Sequence, residues 1–178
     1  KNYYANNKKL PNTLIPEVKK NIAKIEKRTG KKWNFKENPL LVSVRSGASI
    51  SMPGMMDTIL NLGLNDETVE GLAKKSNNTR FAWDSYRRFV QLFGKVVFGV
   101  DEKKFDEVLE NAKKNQAVQA DSALNEKSLK AVVLEYKKIC EKHTGVKFPS
   151  DPFEQLELAI KAVFGSWMGE RAIVYREK

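Results

Sequence analysis

Beyond Asn65, almost a hundred residues follow in which every strong apolar pattern repeats with the period of an α-helix. This confines most of the chain to packed helices and leaves the segment before Asn65 to supply any strands. Asn65 is placed to cap a helix running through Ala73, with Asp66 and Glu67 favourably set against its positive end. In the next helix, near Arg80, the residues Ala82, Tyr86, Phe89, Val90, Phe93 and Val97 form one apolar face. Arg80, Asp84, Arg87, Arg88 and Gln91 form the opposite, polar face. Phe105, Val108, Leu109 and Ala112 predict a third helix, and Leu129, Val132, Val133, Tyr136 and Ile139 a fourth, with a polar loop from Gln116 to Leu124 between them. Asp151, Pro152 and Glu154 supply a cap, a first-turn proline and a capping-box partner for a last long helix. That helix carries Phe153, Leu156, Ile160, Val163, Phe164 and Trp167 on one face, and the tail from Ala172 to Tyr175 reads equally as helix or strand.

The first 65 residues have a different character. Leu14, Val18, Ile22 and Ile25 mark an amphipathic helix that begins near Pro11 and that Gly30 ends. The β-branched run from Leu40 to Val44 predicts a buried strand, followed by a polar loop from Ser49 to Met56. Leu60, Leu62 and Leu64 then alternate with Asn61 and Gly63 as in a half-exposed strand. The expected class is α+β and helix-rich: a first part over 1–65, a helical insertion subdomain over 66–149, and a return helix over 150–178.

Composition removes several possibilities. At 178 residues with 41% hydrophobic content, the chain has apolar material enough for a compact core. One cysteine, Cys140, and one histidine, His143, cannot build a disulfide framework or a Cys/His zinc site. No apolar run is long enough to span a bilayer, so no membrane partner is expected and a reducing, cytoplasmic setting is. The net charge of +10 suits any polyanion, and the Lys-rich stretches at Lys8-Lys9, Lys19-Lys20, Lys24 to Arg28 and Lys31-Lys32 read as solvated faces. His143 reads as a cation at a helix C-terminus, and Cys140 as a small buried hydrophobe.

Neither a Walker A pattern nor a dinucleotide fingerprint is present. What stands out is the segment from Leu41 to Thr58, where Arg45 ends the predicted strand and small residues follow, with methionine, proline and glycine crowded into Met52 to Met55. An arginine fork beside backbone amides that an anion can approach is a sound way to hold phosphate. The competing reading pairs Arg45 with a nearby carboxylate such as Asp57.

The run Ser43-Val44-Arg45-Ser46-Gly47-Ala48, with Ser51-Met52-Pro53-Gly54-Met55-Met56-Asp57-Thr58 and Asn61 to Asp66, resembles the signature of the pyruvate, phosphate dikinase family. The likeness continues through Arg80 to Phe89 and through Ala162-Val163-Phe164-Gly165-Ser166-Trp167 to Arg171-Ala172.

The resemblance implies a partial ATP-grasp nucleotide-binding domain in an enzyme that interconverts ATP, phosphate and pyruvate with AMP, pyrophosphate and phosphoenolpyruvate through a phosphohistidine. It implies Arg45, Arg171 and Arg88 as ligands of the ATP phosphates, and Ser46, Gly54, Met55, Asp57 and Thr58 in the nucleotide loop. Asp57, which would repel phosphate, is assigned to positioning Arg45 or the loop backbone. Cofactors are ATP and Mg²⁺, with the metal ligands, the ATP-site lysine and the phosphohistidine domain expected outside this piece. No catalytic residue is assigned within it, and no turnover is expected from it alone. The full-length protein is expected to be a homodimer and this piece a monomer. The alternatives are the nucleotide domain of a phosphoenolpyruvate synthase or water dikinase, or, from another class, a basic nucleic-acid-binding helical module; the long insertion favours the phosphate-using enzyme.

Overall fold

The computed structural model describes residues 2–47 and 56–177, so Gly54 and Met55 lie outside the described residues. In chain order the elements are α1 (Asn2–Ala5), α2 (Leu14–Thr29), β1 (Val42–Arg45), β2 (Thr58–Leu62), α3 (Thr68–Ser76), α4 (Thr79–Val96), α5 (Glu102–Gln116), α6 (Glu126–Thr144), α7 (Pro152–Ser166) and α8 (Glu170–Glu177). A short 3-10 turn at Asp121–Ala123 interrupts the connection between α5 and α6. Helices dominate, with one antiparallel two-stranded sheet among the described residues.

Local chemistry explains the helix limits. Gly30 ends α2 at φ 67°, a left-handed conformation costly for a residue with a Cβ, while its N–H donates to Glu26 O. Asn65 caps the start of α3, as expected: its side-chain oxygen accepts the N–H groups of Glu67 at 3.0 Å and Thr68 at 2.8 Å. The Thr68 hydroxyl accepts the Asn65 N–H in return, at 2.8 Å. Asn78 accepts from Phe81 N–H at the head of α4, and Asp151 from Phe153 N–H at the head of α7, where Pro152 takes the first helical position.

A continuous core joins the helices to the sheet. α4 lies at its centre, with Tyr86, Phe89, Val90 and Phe93 fully covered by α3, α5, α6 and β2. Phe105 of α5 and Tyr136 of α6 meet edge-on, 4.8 Å between ring centres. α7 crosses both strands, and the cations Lys20, Lys24, Lys27 and Arg28 stand on the exposed face of α2.

Four expectations need correction. β1 is not buried on both sides: Val42 and Val44 are half-buried against the interior, whereas Ser43 and Arg45 point out, the alternation of a strand covered on one face only. Leu60 is 45% exposed, because β2 does not keep the simple alternation read from its leucines. Val44 pairs with Ile59 and Val42 with Leu62, so β2 holds one residue more than β1 across that interval. Asn61 takes φ 59° there, a bulge that turns Ile59 and Leu62 inward and Leu60 out.

The third correction concerns α4, where Asp84 and Arg87, placed on the polar face by periodicity, are buried. Arg87 donates to Asp84 Oδ1 from Nε at 2.9 Å and from Nη2 at 2.8 Å, and reaches Gln91 Oε1 at 3.0 Å. Asp121, on the 117–125 connection, lies 3.8 Å from Arg87, and Arg80 donates to the carbonyls of Asp121 and Leu124. That connection covers the polar face, and paired charge makes the burial tolerable. The fourth concerns Phe164, which is exposed at the end of α7 and not packed inside it. The tail resolves as helix α8, with Ala172 buried.

Candidate functional site

β1 and β2 pair so that Arg45 stands opposite Thr58. The segment joining them therefore leaves and returns at one end of the sheet, and the residues flanking it gather there. Arg45, Ser46 and Gly47 line a cleft of about 440 Å³ together with Tyr3, Phe164 and Trp167. The walls are otherwise apolar. Tyr4 ties the N-terminal side of the cleft to the end of α7, its hydroxyl donating to Gly165 O at 2.7 Å, while the Tyr3 and Phe164 rings sit 5.4 Å apart.

Arg45 is exposed and forms no ion pair among the described residues, so the reading in which Asp57 neutralises it is not the arrangement seen. Asp57 instead turns its carboxylate toward Arg171, with Oδ1 3.9 Å from Nη2, and gives its backbone N–H to Ser166 Oγ at 3.2 Å. Arg171 is the second residue of α8, just past α7, and its side chain is 70% exposed. Arg45, Ser46, Asp57, Thr58 and Arg171 thus meet at the same end of the sheet. Arg88 does not join them: it lies on α4, 62% exposed, with Nε 3.2 Å from Asp84 Oδ2.

An exposed guanidinium at a strand end, with the Ser46 and Gly47 amides next to it and an apolar cleft behind, can hold an anionic group attached to a flat or apolar body. Among the described residues, no group of three or more His, Cys, Asp or Glu side chains is assembled to hold a metal ion.

The remaining residues singled out in the sequence stay outside this arrangement. Cys140 is fully buried on α6, and burial pushes its thiol up to about 12, which leaves it protonated and inert as a nucleophile. His143 lies in the last turn of α6, ahead of the Gly145 cap. Sequence reading did not assign Tyr3, Tyr4 or Ser166 to the site. For the tyrosines, four helical residues at the chain start carry no period to read. Ser166 was visible only as part of a string of small and aromatic residues.

The comparisons with known proteins bear directly on this geometry. A family described as "Pyruvate phosphate dikinase, AMP/ATP-binding domain" matches residues 5–178. The chain belongs to that family. Pyruvate, phosphate dikinase of Entamoeba histolytica is 55% identical over 178 residues, all of this chain and 20% of that protein. The Giardia intestinalis protein of the same name is 54% identical over 166 residues, 93% of this chain and 19% of its own length. The chloroplastic pyruvate, phosphate dikinase of Flaveria pringlei is 51% identical over 174 residues, 98% of this chain and 18% of its own. This dikinase-family domain therefore spans about a fifth of the length of the curated relatives it matches. Among its described residues, no helix is long and apolar enough to cross a membrane.

Proposed function

We propose that the chain is part of the nucleotide-binding domain of a pyruvate, phosphate dikinase and that Arg45 holds the ATP polyphosphate. The observation that carries this reading is an exposed arginine at a strand end, without a carboxylate partner among the described residues, facing an apolar cleft in a chain of the AMP/ATP-binding family. Its fork of donors matches phosphate oxygens two at a time, and the Ser46 and Gly47 amides lie beside it. Arg171 is the second phosphate ligand, held near by Asp57; Arg88 is a third only if it leaves Asp84. Charge that develops on the transferred group meets these fixed cations, which is most of what a protein contributes to phosphoryl transfer.

The domain is read as part of an ATP-grasp, with residues 66–149 inserted as a helical subdomain and a phosphohistidine domain of the same full-length chain as its partner. The full-length enzyme then interconverts ATP, phosphate and pyruvate with AMP, pyrophosphate and phosphoenolpyruvate, as a homodimer. Magnesium, which the family resemblance implies, is expected to take its protein ligands from outside this piece, and the phosphate contacts proposed for this chain are those of its arginines. A buried free thiol suits a reducing compartment such as the cytoplasm.

Because the site is one part of a larger one, affinity for ATP is expected to be weak. For a dissociation constant of about 1 mM, 5 mM ATP stabilises the chain by about 1 kcal/mol, a melting shift of about 2–4 °C for a domain this size. Arg45→Ala is expected to abolish most of that shift and leave the ligand-free melting temperature unchanged. A parent chain unmoved by ATP, or a variant that shifts as far as the parent, overturns the assignment.

A further inference from the structure

Ser166 occupies the last position of α7, where a hydroxyl commonly turns back on its own helix, and it does so here by donating to Val163 O at 2.8 Å. That donation fixes the rotor and leaves a lone pair aimed away from the helix. The lone pair accepts the N–H of Asp57 at 3.2 Å, from a residue 109 positions earlier. Asp57 is the residue before β2, and the next one, Thr58, is registered against Arg45. The Asp57 carboxylate faces Arg171. One peptide unit is therefore held by its N–H to α7, by its side chain to α8, and by its chain neighbour to the strand that ends in Arg45.

Few arrangements fix two separated guanidinium groups relative to one another. The β1–β2 ladder sets Thr58 against Arg45 but by itself does not tie that end of the sheet to the helices that carry Arg171. The bond from Ser166 makes that tie, holding Asp57 to the end of α7 just ahead of α8.

We infer that Ser166 is a positioning residue of the phosphate site: it pins the Asp57 peptide to the end of α7 and so sets the spacing between Arg45 and Arg171. The inference rests on the reading of Arg45 as a phosphate ligand. Ser166 does not itself touch the nucleotide. Its effect on affinity is passed on through Asp57.

The test is an ATP titration of this chain, followed by melting temperature, for the parent, Ser166→Ala, Ser166→Thr, Arg45→Ala and the double variant Ser166→Ala/Arg45→Ala. Loss of one neutral hydrogen bond predicts binding weakened by up to about fivefold for Ser166→Ala, with the ligand-free melting temperature lowered by about 2–4 °C. Ser166→Thr keeps the hydroxyl and recovers most of the affinity, and the double variant binds no more weakly than Arg45→Ala alone. Amide exchange at Asp57 speeds up in Ser166→Ala, while the α4 core keeps its protection. If Ser166→Ala melts too low to titrate, Ser166→Cys, with similar bulk and a poorer acceptor, replaces it.

Parent-like binding by Ser166→Ala overturns the inference, as does a Ser166→Thr variant no better than alanine, or a loss that adds in full to that of Arg45→Ala. The two readings fail separately. If Arg45→Ala weakens ATP and Ser166→Ala does not, only the positioning role falls; if Arg45→Ala changes nothing, or ATP does not bind the parent, both fall.

Discussion

Replacing Arg87 by methionine tests whether buried charge on α4 holds the 117–125 connection in place. The side chain is 4% exposed and makes two bonds to Asp84 Oδ1 and one to Gln91, with Asp121 at 3.8 Å. Removing one partner of a buried ion pair typically costs about 3–5 kcal/mol, because the other is left uncompensated. Here Asp84 keeps Arg88 at 3.2 Å and is 13% exposed itself, so it is not fully stranded. Methionine also refills much of the volume. The low end of the range applies, about 3 kcal/mol. For a chain of this size that is a melting temperature lower by about 6–12 °C, or a urea midpoint lower by about 1.5 M at an m value of about 2 kcal/mol/M. Urea unfolding of Arg87→Met, Asp84→Asn and the double variant measures both the cost and the coupling. The double variant is expected to cost less than the sum of the singles by about 1–3 kcal/mol, since the two share one interaction. An Arg87→Met variant within 1 kcal/mol of the parent, or strict additivity, would refute the argument.

Glycine substitutions separate tight contact from open space. At Gly71 a Cβ would lie 1.4 Å from the Lys36 carbonyl oxygen, so Gly71→Ala must push the 31–39 segment off α3, and its helix-propensity gain of about 1 kcal/mol does not offset the strain. A net loss of about 2 kcal/mol is expected by urea unfolding, whereas Gly165→Ala, which meets nothing within 4 Å, is neutral or stabilising; equal effects at the two sites contradict the packing described. Stability is also expected to fall in alkali. Burial raises Cys140 from 9.0 to about 12 and Tyr136 from 10.0 to about 12, so the folded state keeps protons that the unfolded state gives up. The contribution is whole below about pH 9 and is lost between about 9 and 12, with Cys140 alone accounting for about 2 kcal/mol between pH 9 and 10.5. A urea midpoint that does not drop between pH 8 and pH 10.5 would contradict the burial of these groups.

Much of the helical architecture was legible because its signals are local. Asn65, Gly30 and the Asp151-Pro152 pair announce helix limits through bonds within a few residues, and the apolar faces of α4, α5 and α6 follow from period alone. The misreadings came from bonds between distant segments. Arg87 reads as solvent-facing until Asp121 is known to lie over it. Leu60 reads as inward until the bulge at Asn61 appears, and an asparagine in a strand does not by itself announce a bulge. At the candidate site, Arg45 could be picked out because a cation followed by small residues is unusual. Ser166 could not, since the meaning of its hydroxyl depends on a peptide 109 residues away.

One stitch in the fold bears on how such a chain tolerates change. Asn65, where the backbone departs from β2, donates to Ser150 O at 3.2 Å, and Gln155 donates to Leu64 O at 3.3 Å and Pro149 O at 2.8 Å. Departure and return share a narrow neck. Bonds at that neck tie β2 to the start of α7 independently of connections further along the chain, such as 97–101, so a change of length there is expected to leave the spacing around Arg45 and Ser166 as it is.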